Sequence, residues 1–113
     1  MSIELSKKHC VPCEGGTLPM SGEESLKLVE EVSGWVLVAN QIEKVFRFKS
    51  YLDGLEFAFV LGKAAEEEDH HPDILIMWRR VRVTLTTHAI NGLSENDFIM
   101  AAKANELYNR YAS

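Results

Sequence analysis

The sequence predicts an α+β fold: a four-stranded antiparallel sheet with three helices packed on it, in the order helix, hairpin, helix, hairpin, helix. Three observations carry this expectation. Helix-start signals stand at Ser21-Gly22-Glu23-Glu24 and at Ser94-Glu95-Asn96-Asp97, each followed by apolar residues at helical spacing. Two pairs of strand-like runs, Trp35 to Ala39 with Val45 to Lys49 and Ile74 to Trp78 with Val81 to Thr87, read as hairpins. Between those pairs, from about Ser50 to Asp69, the pattern turns helical and strongly apolar.

Composition sets the outer limits. A chain of 113 residues, 46% hydrophobic and 26% charged, suits one domain spanning 1–113, with 1–20 an irregular N-terminal segment punctuated by Pro12, Gly15, Gly16 and Pro19. The net charge of -5 and the absence of a long basic run argue against nucleic acid as a partner, and Arg79, Arg80 and Arg82 read as a solvated hairpin. No apolar run approaches the roughly 20 residues of a membrane span, and MSIELSKKHC lacks the apolar core of a signal peptide. The expectation is a soluble cytoplasmic protein with no membrane partner. Cys10 and Cys13 form an isolated Cys-x-x-Cys that lacks ligands for a zinc site within its own segment; it reads as a loop with free thiols, with zinc and redox roles left open.

The first helix should run from the Ser21 cap to about Val32, with Leu26, Val29 and Val32 as its apolar stripe and Gly34 ending it in a left-handed conformation. In the second, Leu52, Leu55, Phe59 and Gly62 lie near one face, while Phe57, Val60, Leu61 and Ala64 make much of the rest apolar too. Two apolar faces on one helix of a small protein suggest a subunit contact. Ile74 to Trp78 is apolar throughout, as in a strand covered on both faces. In the run after it, Val81, Val83, Leu85 and Thr87 point one way and Arg82, Thr84, Thr86 and His88 the other. The last helix, to about Tyr111, opens on the Ser94 to Asp97 capping box, with Leu93 and Phe98 as a hydrophobic staple.

The chemistry concentrates between Glu66 and Asp97, which holds three of the four histidines: His70, His71 and His88. Imidazole titrates nearest neutrality, so such a cluster beside Glu66, Glu67, Glu68 and Asp69 is a candidate proton-transfer centre. Pro72 disfavours the helical region for His71, so the chain turns at the histidine pair. If the helix persists to residue 70, Glu66 and His70 share a face and the carboxylate orients the ring. Asp97 has a sufficient structural role as a helix cap, with a catalytic role as the alternative.

These residues carry a resemblance. Glu66, three residues, His70-His71-Pro72, five residues, Trp78, nine residues, His88, eight residues, Asp97 is similar to the signature of the pterin-4a-carbinolamine dehydratase family. Gly34-Trp35 and Phe46-Arg47-Phe48 resemble family positions as well, so the likeness covers about residues 21 to 111 and leaves the Cys-x-x-Cys segment outside. It implies a lyase that dehydrates 4a-hydroxytetrahydrobiopterin to quinonoid dihydropterin, recycling the cofactor of aromatic amino acid hydroxylases, with no metal and no further cofactor needed. By the same resemblance His70, His71 and His88 form the catalytic set, His70 and His88 contacting the hydroxyl and the pterin ring and His71 acting as the main acid/base. Glu66 and Asp97 would be supporting carboxylates, Trp35 and Pro72 pocket walls, and the assembly a homodimer or homotetramer. An animal member also partners a homeodomain transcription factor, a role for which these residues give no independent argument.

Two other classes stay open at this stage. Three histidines with Glu66 or Asp69 are a competent ligand set for zinc or another divalent metal. The fold could also serve as a non-catalytic pterin-binding or dimerisation module.

Overall fold

The computed structural model describes residues 5–12 and 18–111. Helix α1 (Gly22–Val29) leads to strands β1 (Val36–Val38) and β2 (Gln41–Arg47), then α2 (Tyr51–Glu68), β3 (Asp73–Met77), β4 (Arg80–Leu85), a 3-10 turn (His88–Ile90) and α3 (Glu95–Tyr108). The four strands form one sheet in the order β1-β2-β4-β3, with each neighbouring pair antiparallel. The expected α+β architecture, four antiparallel strands with three helices, is therefore present. Cys13, Gly15 and Gly16 lie outside the described residues.

The central pair, β2 with β4, sets Ile42 opposite Leu85 and Phe46 opposite Val81. Period-two alternation sends Ile42, Phe46, Val81, Val83 and Leu85 to one sheet face, where all are buried against Phe57 and Leu61 of α2 and Phe98, Ile99 and Met100 of α3. Aromatic rings thicken this core at one end, with Phe46 and Phe57 centroids 4.8 Å apart and Tyr108 5.0 Å from Phe46. The opposite sheet face stays open and carries the exposed Val36, Val38, Val45 and Leu75.

Several local expectations change. Helix α1 stops at Val29 rather than Val32; Val32 is buried in the turn that follows, while Leu26 faces solvent. Past Val29 the bonds tighten to three-residue turns, Glu31 N–H to the Leu28 carbonyl (3.0 Å) and Val32 N–H to the Val29 carbonyl (3.2 Å), and the chain then takes the left-handed conformation at Gly34 (φ 84°), where an added Cβ would lie 2.7 Å from Lys44 Cε. Helix α2 packs through Gly54, Phe57, Ala58, Leu61 and Ala65, which turns Leu52 and Phe59 outward. Strand β3 is an edge strand with Leu75 and Ile76 partly exposed, not a strand covered on both faces by this chain. A continuous apolar run cannot distinguish those two situations.

Candidate active site

The ends of three elements, α2, β4 and α3, meet at one end of the sheet. Helix α2, capped at its start by Ser50, ends at Asp69, which adopts the left-handed conformation (φ 51°, ψ 41°) that aspartate tolerates better than most side chains. The His70 N–H then reaches back to the Ala65 carbonyl (3.1 Å), so the chain reverses before Pro72. Strand β4 ends at Leu85, two residues earlier than the alternation of its side chains. Thr87 and Gly92 then bridge across the loop, the Thr87 N–H donating to the Gly92 carbonyl at 2.9 Å, and His88 opens the 3-10 turn. Helix α3 begins at Ser94, whose N–H donates to Asp97 Oδ2 (3.0 Å), the return bond of a capping box.

Asp97 does more than cap. It is fully buried, and its Oδ2 also accepts the Thr87 hydroxyl (2.8 Å), which lies 2.8 Å from the Ser94 hydroxyl. Its Oδ1 stands 2.6 Å from His70 Nε2. With Oδ2 occupied by two donors, Oδ1 is left to face His70 Nε2, and this network holds the ring's orientation. The helix cap and the histidine orienter are thus one side chain, and burial makes the hydrogen bonds costly to leave unmade.

Glu66 takes a different partner from the one its spacing predicts. The left-handed turn at Asp69 carries His70 away from the α2 surface, and His71 Nε2 approaches Glu66 Oε1 (2.5 Å) instead. That pair is exposed. His88 is exposed as well, and its ring makes no hydrogen bond to the described residues.

His70, His71 and His88 line a single cleft of about 570 Å³, together with Glu67, Glu68, Asp69, Thr86, Thr87, Ala89, Asn96 and residues 9–12. Asp97 sits behind His70, and Glu66 and Pro72 are not among the lining residues. Trp35 is not brought to the cleft: it is 4% exposed, packs edge-on against Phe46 and donates from Nε1 to Asn105 Oδ1 (3.1 Å). Among the described residues, no group of three or more His, Cys, Asp or Glu side chains is placed to hold a metal ion. The ligand set of His70, His71 and His88 with Glu66 or Asp69 is not assembled among the described residues, since His70 and His71 each turn Nε2 to a separate carboxylate.

In the sequence Ser94 reads only as a helix cap and Glu68 only as part of an acidic run beside the histidines; no role in this site is legible there for Thr87, Asn96 or residues 9–12. Thr87 left a signal, a hydroxyl on the core-facing side of β4 and its continuation, where burial requires a partner. Residues 9–12 left none, because they meet the cleft through contacts far apart in sequence. The Glu68 carboxylate accepts the Cys10 N–H (2.7 Å) and pairs with His9 Nδ1 (2.8 Å). Burial pushes this carboxyl up, but the Cys10 N–H, the His9 imidazole and the Lys103 ammonium together outweigh it and hold the group below the ordinary glutamate range.

Comparison with known proteins now adds to this geometry. The family model for pterin 4 alpha carbinolamine dehydratase matches residues 18–107. The chain belongs to the pterin-4-alpha-carbinolamine dehydratase family. Its enzyme class is that of a hydro-lyase. A Methylococcus capsulatus protein named as a candidate pterin-4-alpha-carbinolamine dehydratase is 49% identical over 108 residues, covering 94% of this chain and 95% of its own length. One from Rubrobacter xylanophilus, named the same way, is 44% identical over 92% of this chain and 98% of its own. A crystal structure from Brucella melitensis, titled a transcriptional coactivator/pterin dehydratase, superposes with a TM-score of 0.76 at 33% identity, covering 79% of this chain and 97% of that one. The dehydratase family thus accounts for the fold and for the part of the chain that supplies the three histidines; the family model begins after the segment 9–12, whereas the curated relatives, aligned over 92% and 94% of this chain, extend into it.

Proposed function

We propose that the protein dehydrates 4a-hydroxytetrahydrobiopterin to quinonoid dihydropterin by histidine acid/base catalysis, in the recycling of tetrahydrobiopterin. Loss of water breaks the C4a–O bond and forms a C4a=N5 double bond. The leaving oxygen takes up a proton and N5 gives one up, so the reaction is redox-neutral and needs one acid and one base. The single observation that carries this reading is the convergence of three imidazoles on one cleft in a chain of this family.

In this reading His71 is the main acid/base, with Glu66 bonded to its ring, and His70 and His88 contact the hydroxyl and the pterin ring. Asp97 acts through His70 by fixing its orientation, and Pro72 supports the turn that presents His71. The exposed Leu52 and Phe59 on α2, with Leu75, Ile76 and Trp78 at the β3 edge, support self-association as a homodimer or homotetramer. A cytoplasmic site of action and the absence of a nucleic-acid partner complete the proposal, in keeping with a net charge of -5. No helix among the described residues is long and apolar enough to cross a membrane.

The test is to generate the 4a-hydroxypterin in situ and follow its absorbance decay. The wild-type protein is expected to accelerate the decay, and the double variant His71→Ala, His88→Ala to fall to the uncatalysed rate. Equal rates for the two proteins would sink the proposal.

A further inference from the structure

Residues 9–12 supply His9, Cys10, Val11 and Pro12 to the cleft lining, yet they precede the residues matched by the family model. They are held there by a built set of bonds. Glu68 takes the Cys10 N–H on Oε1 and faces His9 Nδ1 with Oε2. Asn96 clamps Val11 from both sides of its backbone, Oδ1 accepting the N–H (3.0 Å) and Nδ2 donating to the carbonyl (2.6 Å). Just upstream, Lys103 Nζ donates to the Ser6 carbonyl (2.8 Å), and Lys8 pairs with Glu95 (2.9 Å). Glu68 stands two residues before His70, and Asn96 stands beside Asp97. The helix ends that orient the His70 ring therefore also hold this segment, so its distance from the imidazoles is set by the same pieces of backbone.

We infer that residues 9–12 are a substrate-contacting wall of the cleft, with Glu68 and Asn96 as positioning residues. This inference rests on the lyase reading for the identity of the ligand. The Cys10 and Val11 amides and His9 Nδ1 are already engaged by their anchors, so beside the remainder of the exposed His9 ring the wall offers a ligand apolar surface: the side chain of Val11, 65% exposed, and the ring of Pro12. Proton transfer belongs to His70, His71 and His88, since His9 is tied to Glu68. The wall accordingly packs on the non-reacting part of the pterin, its ring face or carbon substituent. Contacts of this kind hold the ground state and the transition state alike, so they set KM and leave kcat nearly untouched.

Two variants test the wall. Val11→Ser removes apolar surface at an exposed position without touching an anchor, and Asn96→Ala removes both bonds to the Val11 backbone. Each is expected to raise KM by about 3- to 10-fold, with kcat changing by less than about twofold. The dissociation constant of a stable dihydropterin lacking the 4a-hydroxyl should rise by the same factor, and binding of that dihydropterin to the wild-type protein should slow amide exchange at Cys10 and Val11. An unchanged KM and dissociation constant in Val11→Ser, with ligand-independent exchange at these amides, would overturn the inference. So would a fall confined to kcat. A wild-type protein that binds the dihydropterin but does not accelerate dehydration would refute the lyase reading instead, and the binding and exchange measurements would still decide the wall.

Discussion

His70 with Asp97 and His71 with Glu66 are neighbouring imidazole–carboxylate pairs in opposite surroundings. In the first, the side chains are 11% and 0% exposed and the carboxylate is locked by Thr87 and Ser94; in the second they are 52% and 79% exposed with no such support. A bond of 2.6 Å in the interior fixes a ring, whereas one of 2.5 Å at the surface competes with water and salt. The buried pair suits orientation of a ligand-contacting group, and the exposed pair suits a group that must gain and lose a proton. Distance alone would have ranked them equal.

Breaking the buried pair should have the largest effect. Asp97→Ala strands the Ser94 N–H and the Thr87 hydroxyl and frees His70; it should cost about 3 kcal/mol in urea unfolding and lower kcat by about 10²-fold. Thr87→Val tests the support beneath the pair. It removes one donor to the buried carboxylate and should cost about 1–2 kcal/mol by the same unfolding measurement, with a smaller loss of turnover. Glu66→Gln at the exposed pair should shift stability by no more than about 0.5 kcal/mol, and its effect on rate should shrink as ionic strength rises. If Glu66→Gln destabilised the fold as much as Asp97→Ala, the contrast between the pairs would collapse.

A fourth prediction sharpens the contrast by pH. Glu68 is held below its ordinary range, so the folded chain binds this proton less tightly than the unfolded chain does. Its stabilising contribution is complete above the ordinary glutamate range and is lost as pH falls through the depressed value. Amide exchange at Cys10 should accelerate over that acidic window, and Glu68→Gln should flatten the dependence. Glu67→Gln, at the exposed neighbouring position, should leave amide exchange at Cys10 unchanged.

Much of this site was legible because helix and strand ends leave local signals. Ser94 and Asp97 announce a capping box, Pro72 announces a turn at the histidine pair, and the alternation from Val81 to Thr87 places His88 just past a strand. What misled was extrapolation of regular geometry past the point where it stops. Glu66 and His70 share a face only on an unbroken helix, and one left-handed residue, Asp69, reassigns Glu66 to His71. The family resemblance alone places Trp35 as a pocket wall, and the packing of Phe46 and Asn105 around it puts its ring in the core.

The sequence by itself determined the four strands, the three helices and the gathering of His70, His71 and His88 at element ends, because periodicity and capping act over a few residues. The tertiary structure alone decided which carboxylate meets which imidazole, and that residues 9–12 line the cleft. His70 and Asp97 are 27 residues apart, Cys10 and Glu68 are 58, and Val11 and Asn96 are 85. Contacts at such separations exist only once burial of the sheet face has fixed the two helix ends in space, and no local pattern encodes their partners.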